Sequence, residues 1–172
     1  MQNILIVVDM QNDFINGALG TPEAVSIVPR VKEKLATFNG RVYFTRDTHG
    51  DGYLETQEGR KLPVPHCIRG TYGWQITDAL DASNAAMIVD KPTFGSTLLA
   101  EIIELENVRE PIEKVTLVGL CTDICVISNA MLIKARLPEI RVEIDSSCCA
   151  GVTPESHENA LNAMRVCQIE II

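Results

Sequence analysis

The segment Ile4-Leu5-Ile6-Val7-Val8 is apolar at every position and ends on a carboxylate, Asp9. A strand with one wet face alternates apolar and polar residues. One that is apolar throughout needs cover on both faces, which is the condition of a parallel strand between two helical layers. Further strand candidates are Arg41 to Thr45, Ala85 to Val89, Val115 to Val118, Arg141 to Ile144 and Cys167 to Ile171. Segments of helical period fall between them. The first runs from about Glu23 to Phe38, with Val28, Val31, Leu35 and Phe38 on one stripe. Others lie near Ser96 to Glu106, Asp123 to Ala135 and Pro154 to Met164. This alternation predicts an α/β fold: a single doubly wound, mainly parallel six-stranded sheet with helices on both faces, in three layers. No repeat, low-complexity tract or linker interrupts the 172 residues, so one domain over 1–172 is expected.

Composition excludes several classes. With 46% hydrophobic residues the chain is too rich in aliphatics for disorder. Its 15 Lys and Arg stand against 23 Asp and Glu, a net charge of -8, so it lacks the basic face a nucleic-acid binder requires. No stretch approaches the roughly 18 to 20 apolar residues of a membrane helix, so no membrane partner is expected. No cationic leader precedes the first apolar run, which predicts a cytoplasmic protein whose six cysteines stay reduced. Each thiol is then a nucleophile, a metal ligand or a small buried hydrophobe.

Ligands of open parallel sheets bind beyond the carboxyl ends of the strands. Asp9, Asp47, Asp90-Lys91 and the segment Gly119-Leu120-Cys121-Thr122-Asp123-Ile124-Cys125 all fall there. A carboxylate, an ammonium and a thiol therefore gather at one sheet edge. With Thr122 or Asp123 as N-cap, Cys125 would occupy the first turn of a helix, where the dipole and free N–H groups favour a thiolate or hold an oxyanion. Equally, Cys125 could be a small core residue beside Val126. Lys91 reads as a solvated strand-end lysine or as the cation of a catalytic group. A buried Asp9 is expensive unless it is paired or employed.

Residues 47–73 lack a sustained period and carry many Gly and Pro, and a loop so long generally serves a site. It holds two of the three histidines, His49 and His66; His157 lies far downstream. Asp47-x-His49 places a carboxylate and an imidazole on one face of an extended segment, and His66 could close on them. Glu58, Glu55 and Asp51 are nearby carboxylates.

Five motifs in order carry a resemblance: Val8-Asp9-Met10-Gln11-Asn12-Asp13-Phe14; Asp47-Thr48-His49; Pro65-His66-Cys67-Ile68-Arg69-Gly70-Thr71; Lys91-Pro92-Thr93-Phe94-Gly95-Ser96; and Gly119 to Val126. Over nearly the whole chain the sequence resembles the isochorismatase-like cysteine hydrolase superfamily, and within it the nicotinamidases and pyrazinamidases. The resemblance implies a triad of Asp9, Lys91 and Cys125, with Cys125 as the nucleophile that forms a thioester. It implies a cis peptide at Leu120-Cys121 and an oxyanion hole from the N–H groups of Cys121 and Cys125. It also implies a divalent metal (Zn, Fe or Mn) on Asp47, His49 and His66, with Glu58 as the fourth ligand and Glu55 in reserve, and no organic cofactor. Phe14 matches one substrate-stacking aromatic. The other falls at Pro63 or Leu62, leaving Tyr53 or Trp74 as substitutes.

The implied activity is hydrolysis of nicotinamide to nicotinate and ammonia in NAD salvage, by a protein that forms a homo-oligomer and takes a small amide substrate. The alternative is a related amidase acting on N-carbamoyl, ureido or other small amide compounds. A papain-like arrangement with His157 as base is the poorer reading, because His157 belongs to a late helix.

Overall fold

A computed structural model describes the whole chain, residues 1–172. Six strands, β1 (Gln2–Val8), β2 (Arg41–Asp47), β3 (Met87–Lys91), β4 (Ile112–Leu120), β5 (Arg141–Ala150) and β6 (Glu170–Ile171), form one sheet of order β3-β2-β1-β4-β5-β6. Every pairing is parallel. The helices are α1 (Asn12–Ile15), α2 (Pro22–Thr37), α3 (Gln57–Lys61), α4 (Thr97–Arg109), α5 (Ile127–Arg136) and α6 (Pro154–Val166).

The apolar run of β1 divides between two cores because successive side chains of a strand point to opposite faces. Ile4, Ile6 and Val8 pack on one side with Leu99 and Ile103 of α4, Ala130 and Ile133 of α5, and Leu161 and Met164 of α6. Leu5 and Val7 pack on the other with Ala24, Ile27 and Val31 of α2. All five are fully buried. Fully burying one such side chain contributes about 1.5 to 3 kcal/mol, so this strand is a principal source of stability.

The chain winds outward from the centre in both directions, which puts the topological switch point between β1 and β4. There Gly119 has φ +116°, and a Cβ would meet the Val8 carbonyl oxygen at 2.1 Å. Glycine is required where the two strand ends approach this closely.

The structure departs from the expected elements in several places, β4 and β5 among them, which run longer at Ile112–Leu120 and Arg141–Ala150. β2 and β3 extend to Asp47 and Lys91, which are register partners, so both residues belong to strands rather than following them. The 47–73 segment contains a 3₁₀ turn at Tyr53–Glu55 and the short helix α3, capped by the Thr56 hydroxyl, which accepts from Gly59 N. β6 is shorter than expected because a turn precedes it, with Gln168 at φ +64°.

Candidate active site

The carboxyl ends of β1, β2, β3 and β4 converge on one cluster. Lys91 Nζ lies 2.6 Å from Asp9 Oδ2, 3.3 Å from Cys125 Sγ and 3.6 Å from Asp47 Oδ1. Asp9 and Lys91 are wholly buried, and Cys125 is nearly so. Asp9 takes up φ +47° directly after β1. Its Oδ1 accepts a hydrogen bond from the Thr45 hydroxyl at 2.6 Å.

Burial disfavours charge, and the three groups resolve this unequally. Burial would lower the Lys91 pKa, but its acidic neighbours, Asp9 first, overcome it and hold the ammonium well above its usual range. Burial raises the Asp9 carboxyl despite the pull of Lys91. Burial also lifts the Cys125 thiol well above its ordinary value, and the Asp9 charge adds to this. Burial thus favours the neutral thiol at Cys125, while Lys91 keeps its charge beside the Asp9 carboxyl.

Cys125 sits in a widened, π-helical turn, Thr122–Val126, that leads into α5. Neither expected capping residue caps it. Cys121 occupies the N-cap with no side-chain bond to the turn. Thr122 instead bonds His157, and the Asp123 carboxylate accepts from Val152 N. The Leu120-Cys121 peptide is cis. The Cys121 N–H finds no acceptor in the chain, so it is free to serve an incoming oxygen.

Beside this cluster, Asp47, His49, Glu58 and His66 bring four ligand atoms within 4.8 Å of one another. His49 Nε2 lies 2.9 Å from Asp47 Oδ2 and 3.6 Å from Glu58 Oε1; His66 Nε2 lies 3.5 and 3.7 Å from the same two oxygens. Bonds of about 2.0 to 2.2 Å in a tetrahedral zinc site imply ligand separations of roughly 3.4 Å, so these atoms can surround such an ion with little movement. The other carboxylate oxygen, Asp47 Oδ1, is buried without a hydrogen bond. His66 Nδ1 is 2.8 Å from the Val64 carbonyl, which turns Nε2 inward, as metal-binding histidines require. Glu55 is not part of the group. Burial works to raise Asp47, yet hydrogen bonds from His49 and His66 hold its carboxyl well below the usual range.

Gln11 braces this centre. Its amide Nε2 donates to the carbonyls of Asp47 and Trp74, both at 2.8 Å, and its Oε1 accepts from Asp47 N at 2.7 Å. Asp13 Oδ2 accepts from Cys67 N, next to His66. Gln11 and Asp13 stand in the polar motif after the first strand, which gave them no bracing role, and the only signal for Thr45 was a polar residue in an apolar strand.

A cavity of about 610 Å³ joins the two groups. Asp47, Glu58, His66, Cys121 and Cys125 line it, together with Phe14, Leu62, Phe94 and Ile124. Neither proposed aromatic substitute reaches it. Tyr53 is buried behind the histidines, edge-on to both rings, and donates its hydroxyl to the Leu62 carbonyl. Trp74 lies under the Arg46 guanidinium at 3.7 Å and donates to the Thr48 hydroxyl. Leu62 and Phe94 supply the apolar walls instead.

Comparison with known proteins places this geometry. The isochorismatase domain family matches residues 3–172. The chain belongs to the isochorismatase family. Among curated relatives, the nicotinamidase/pyrazinamidase of Mycobacterium tuberculosis is 28% identical, covering 98% of this chain and 97% of that protein. Among solved structures, the pyrazinamidase of Pyrococcus horikoshii in complex with zinc superposes with a TM-score of 0.83 at 28% identity, covering 100% of this chain and 99% of that one. The nicotinamidase of Bacillus subtilis gives a TM-score of 0.80 at 29% identity, over 99% and 98% of the two chains. No helix of this family member is long and apolar enough to cross a membrane.

Proposed function

We propose that this isochorismatase family member is a cysteine amidohydrolase that converts nicotinamide and water to nicotinate and ammonia, with residues 1–172 as its single domain. The observation that carries the reading is the convergence of a thiol, a buried Lys–Asp pair and a two-histidine, two-carboxylate cluster on one cavity.

Cys125 Sγ attacks the carboxamide carbon as its proton passes to Asp9. Lys91 keeps Asp9 ionised beforehand and stabilises the sulfur as it loses the proton. The developing oxyanion is received by the N–H groups of Cys121 and Cys125. Asp9 then delivers the proton to the departing nitrogen, and ammonia leaves a Cys125 thioester. Asp9, again a carboxylate, takes a proton from water. The resulting hydroxide attacks the thioester, the departing sulfur recovers the proton from Asp9, and nicotinic acid is released and loses its proton to solvent as nicotinate. Asp47, His49, Glu58 and His66 would hold a divalent ion, for which zinc, iron or manganese all suit the donor set. When bound, the ion supplies a Lewis-acid anchor for a heteroaromatic nitrogen, and Phe14, Leu62 and Phe94 pack the ring.

Asp9 must be ionised to accept the thiol proton, and burial raises its pKa. Turnover should therefore fall as pH drops through that raised value, above the ordinary aspartate range near 3.8. Lys91 stays protonated past its usual range, so it sets no alkaline limit near neutrality. A kcat–pH profile at saturating metal checks this; full kcat down to the ordinary aspartate pKa would contradict it.

The function is tested by supplying nicotinamide and an N-carbamoyl compound to metal-loaded protein. Ammonia and nicotinate should appear in equal amounts, and chelation should abolish most turnover until metal is restored. Preference for the N-carbamoyl compound, with a rate indifferent to chelation, would instead support the related-amidase alternative.

A further inference from the structure

The third histidine takes no part in the steps above, yet it contacts the turn on which they depend. Thr122 lies between the two oxyanion donors, Cys121 and Cys125, and is wholly buried. Its hydroxyl has one hydrogen-bond partner, His157 Nδ1, at 2.8 Å. With the ring proton on Nε2, the hydroxyl donates to Nδ1.

His157 is itself fixed from several directions. It sits in the first turn of α6, whose start is set by a reciprocal capping box between Thr153 and Ser156. It presses on Gly151, where a Cβ would meet His157 N at 2.8 Å and its Cα and Cβ at 2.9 Å. A second tie runs parallel to the first: Val152 N donates to both carboxylate oxygens of Asp123, at 3.1 and 3.3 Å. The segment from Gly151 to His157 thus grips the nucleophile turn at two consecutive residues. The turn otherwise relies on a few backbone bonds, two of them converging on the Cys121 carbonyl.

We infer that His157 is a positioning residue, which through the Thr122 hydroxyl holds the Cys121–Cys125 turn in the geometry that receives the oxyanion. It touches neither substrate nor reacting atoms. Its loss frees a buried hydroxyl to seek another partner and lets the turn shift, and displacements of order 1 Å in such a site lower rates by about 100-fold. The inference rests on the amidohydrolase reading for its kinetic consequence, but the bond itself does not.

The test compares His157→Ala, His157→Asn, Thr122→Val and the double variant Thr122→Val/His157→Ala. Asparagine places Oδ1 near the position of Nδ1 and can accept the same hydrogen bond. His157→Ala and Thr122→Val should each lower kcat by about 10- to 100-fold with KM little changed, and the double variant should be no worse than either. His157→Asn should retain most of kcat with an unshifted pH profile. A second readout needs no substrate: hydrogen exchange of the amides from Thr122 to Val126 should quicken by about 10-fold in His157→Ala and not in His157→Asn. Unchanged kcat and exchange in His157→Ala, or an inactive His157→Asn with an altered pH profile, would overturn the assignment. Failure of the wild-type protein to hydrolyse nicotinamide would count against the proposed substrate alone, leaving the exchange result to decide this inference.

Discussion

Cys125→Ala should release no ammonia above background, a loss of at least about 1,000-fold, while melting within a few degrees of the wild type. The nucleophile has no substitute at hand. Cys121 lines the same cavity, but Lys91 Nζ hydrogen-bonds the Cys125 sulfur and not that of Cys121. The small effect on folding follows from size, since exchanging a thiol for hydrogen leaves only a slight void in the core that Cys125 joins. Parallel measurement of ammonia release and thermal unfolding checks both halves. Substantial turnover in the variant would remove Cys125 from the mechanism.

Lys91→Met should do two things at once. Turnover should fall by at least about 100-fold, because Lys91 is the one cation beside Asp9, and the Thr45 hydroxyl alone offsets its burial poorly. Stability should fall as well, by about 3 to 5 kcal/mol, because the ammonium is the charge partner of a wholly buried Asp9 and also lies 3.6 Å from Asp47. Methionine preserves the volume, so the loss reports charge rather than packing. Denaturant unfolding near neutral pH measures it. As the pH is lowered through the Asp9 pKa, the uncompensated carboxylate is neutralised, and the variant should lose less relative to the wild type. A variant as stable as the wild type at neutral pH would contradict the paired-charge account.

These expectations rest on features that differ in how far the sequence disclosed them. The unbroken run Ile4 to Val8 implied a strand between two helical layers, and the structure divides its side chains between two cores for that reason. The convergence of Asp9, Lys91 and Cys125 was legible because strand ends of a parallel sheet share one edge, and the Asp47-x-His49 spacing placed a carboxylate and an imidazole together. Less was legible where the outcome depends on partners distant in the chain. Asp47 and Lys91 lie within strands because each finds the other in register, a fact no local window contains. Tyr53 and Trp74 have the chemistry of stacking residues, but Tyr53 is taken up behind the histidines and Trp74 by Arg46 and Thr48. The turn at Cys125 has good capping residues that do not cap, since Thr122 and Asp123 are engaged by the Gly151 to His157 segment.

The central claim, a Cys125 thioester formed from nicotinamide, is tested most directly by partition. Metal-loaded protein turning over nicotinamide in rising hydroxylamine should yield nicotinohydroxamate at the expense of nicotinate, because the stronger nucleophile competes with water for the thioester. Release of ammonia with nicotinate as the sole product at every hydroxylamine concentration would contradict the covalent route.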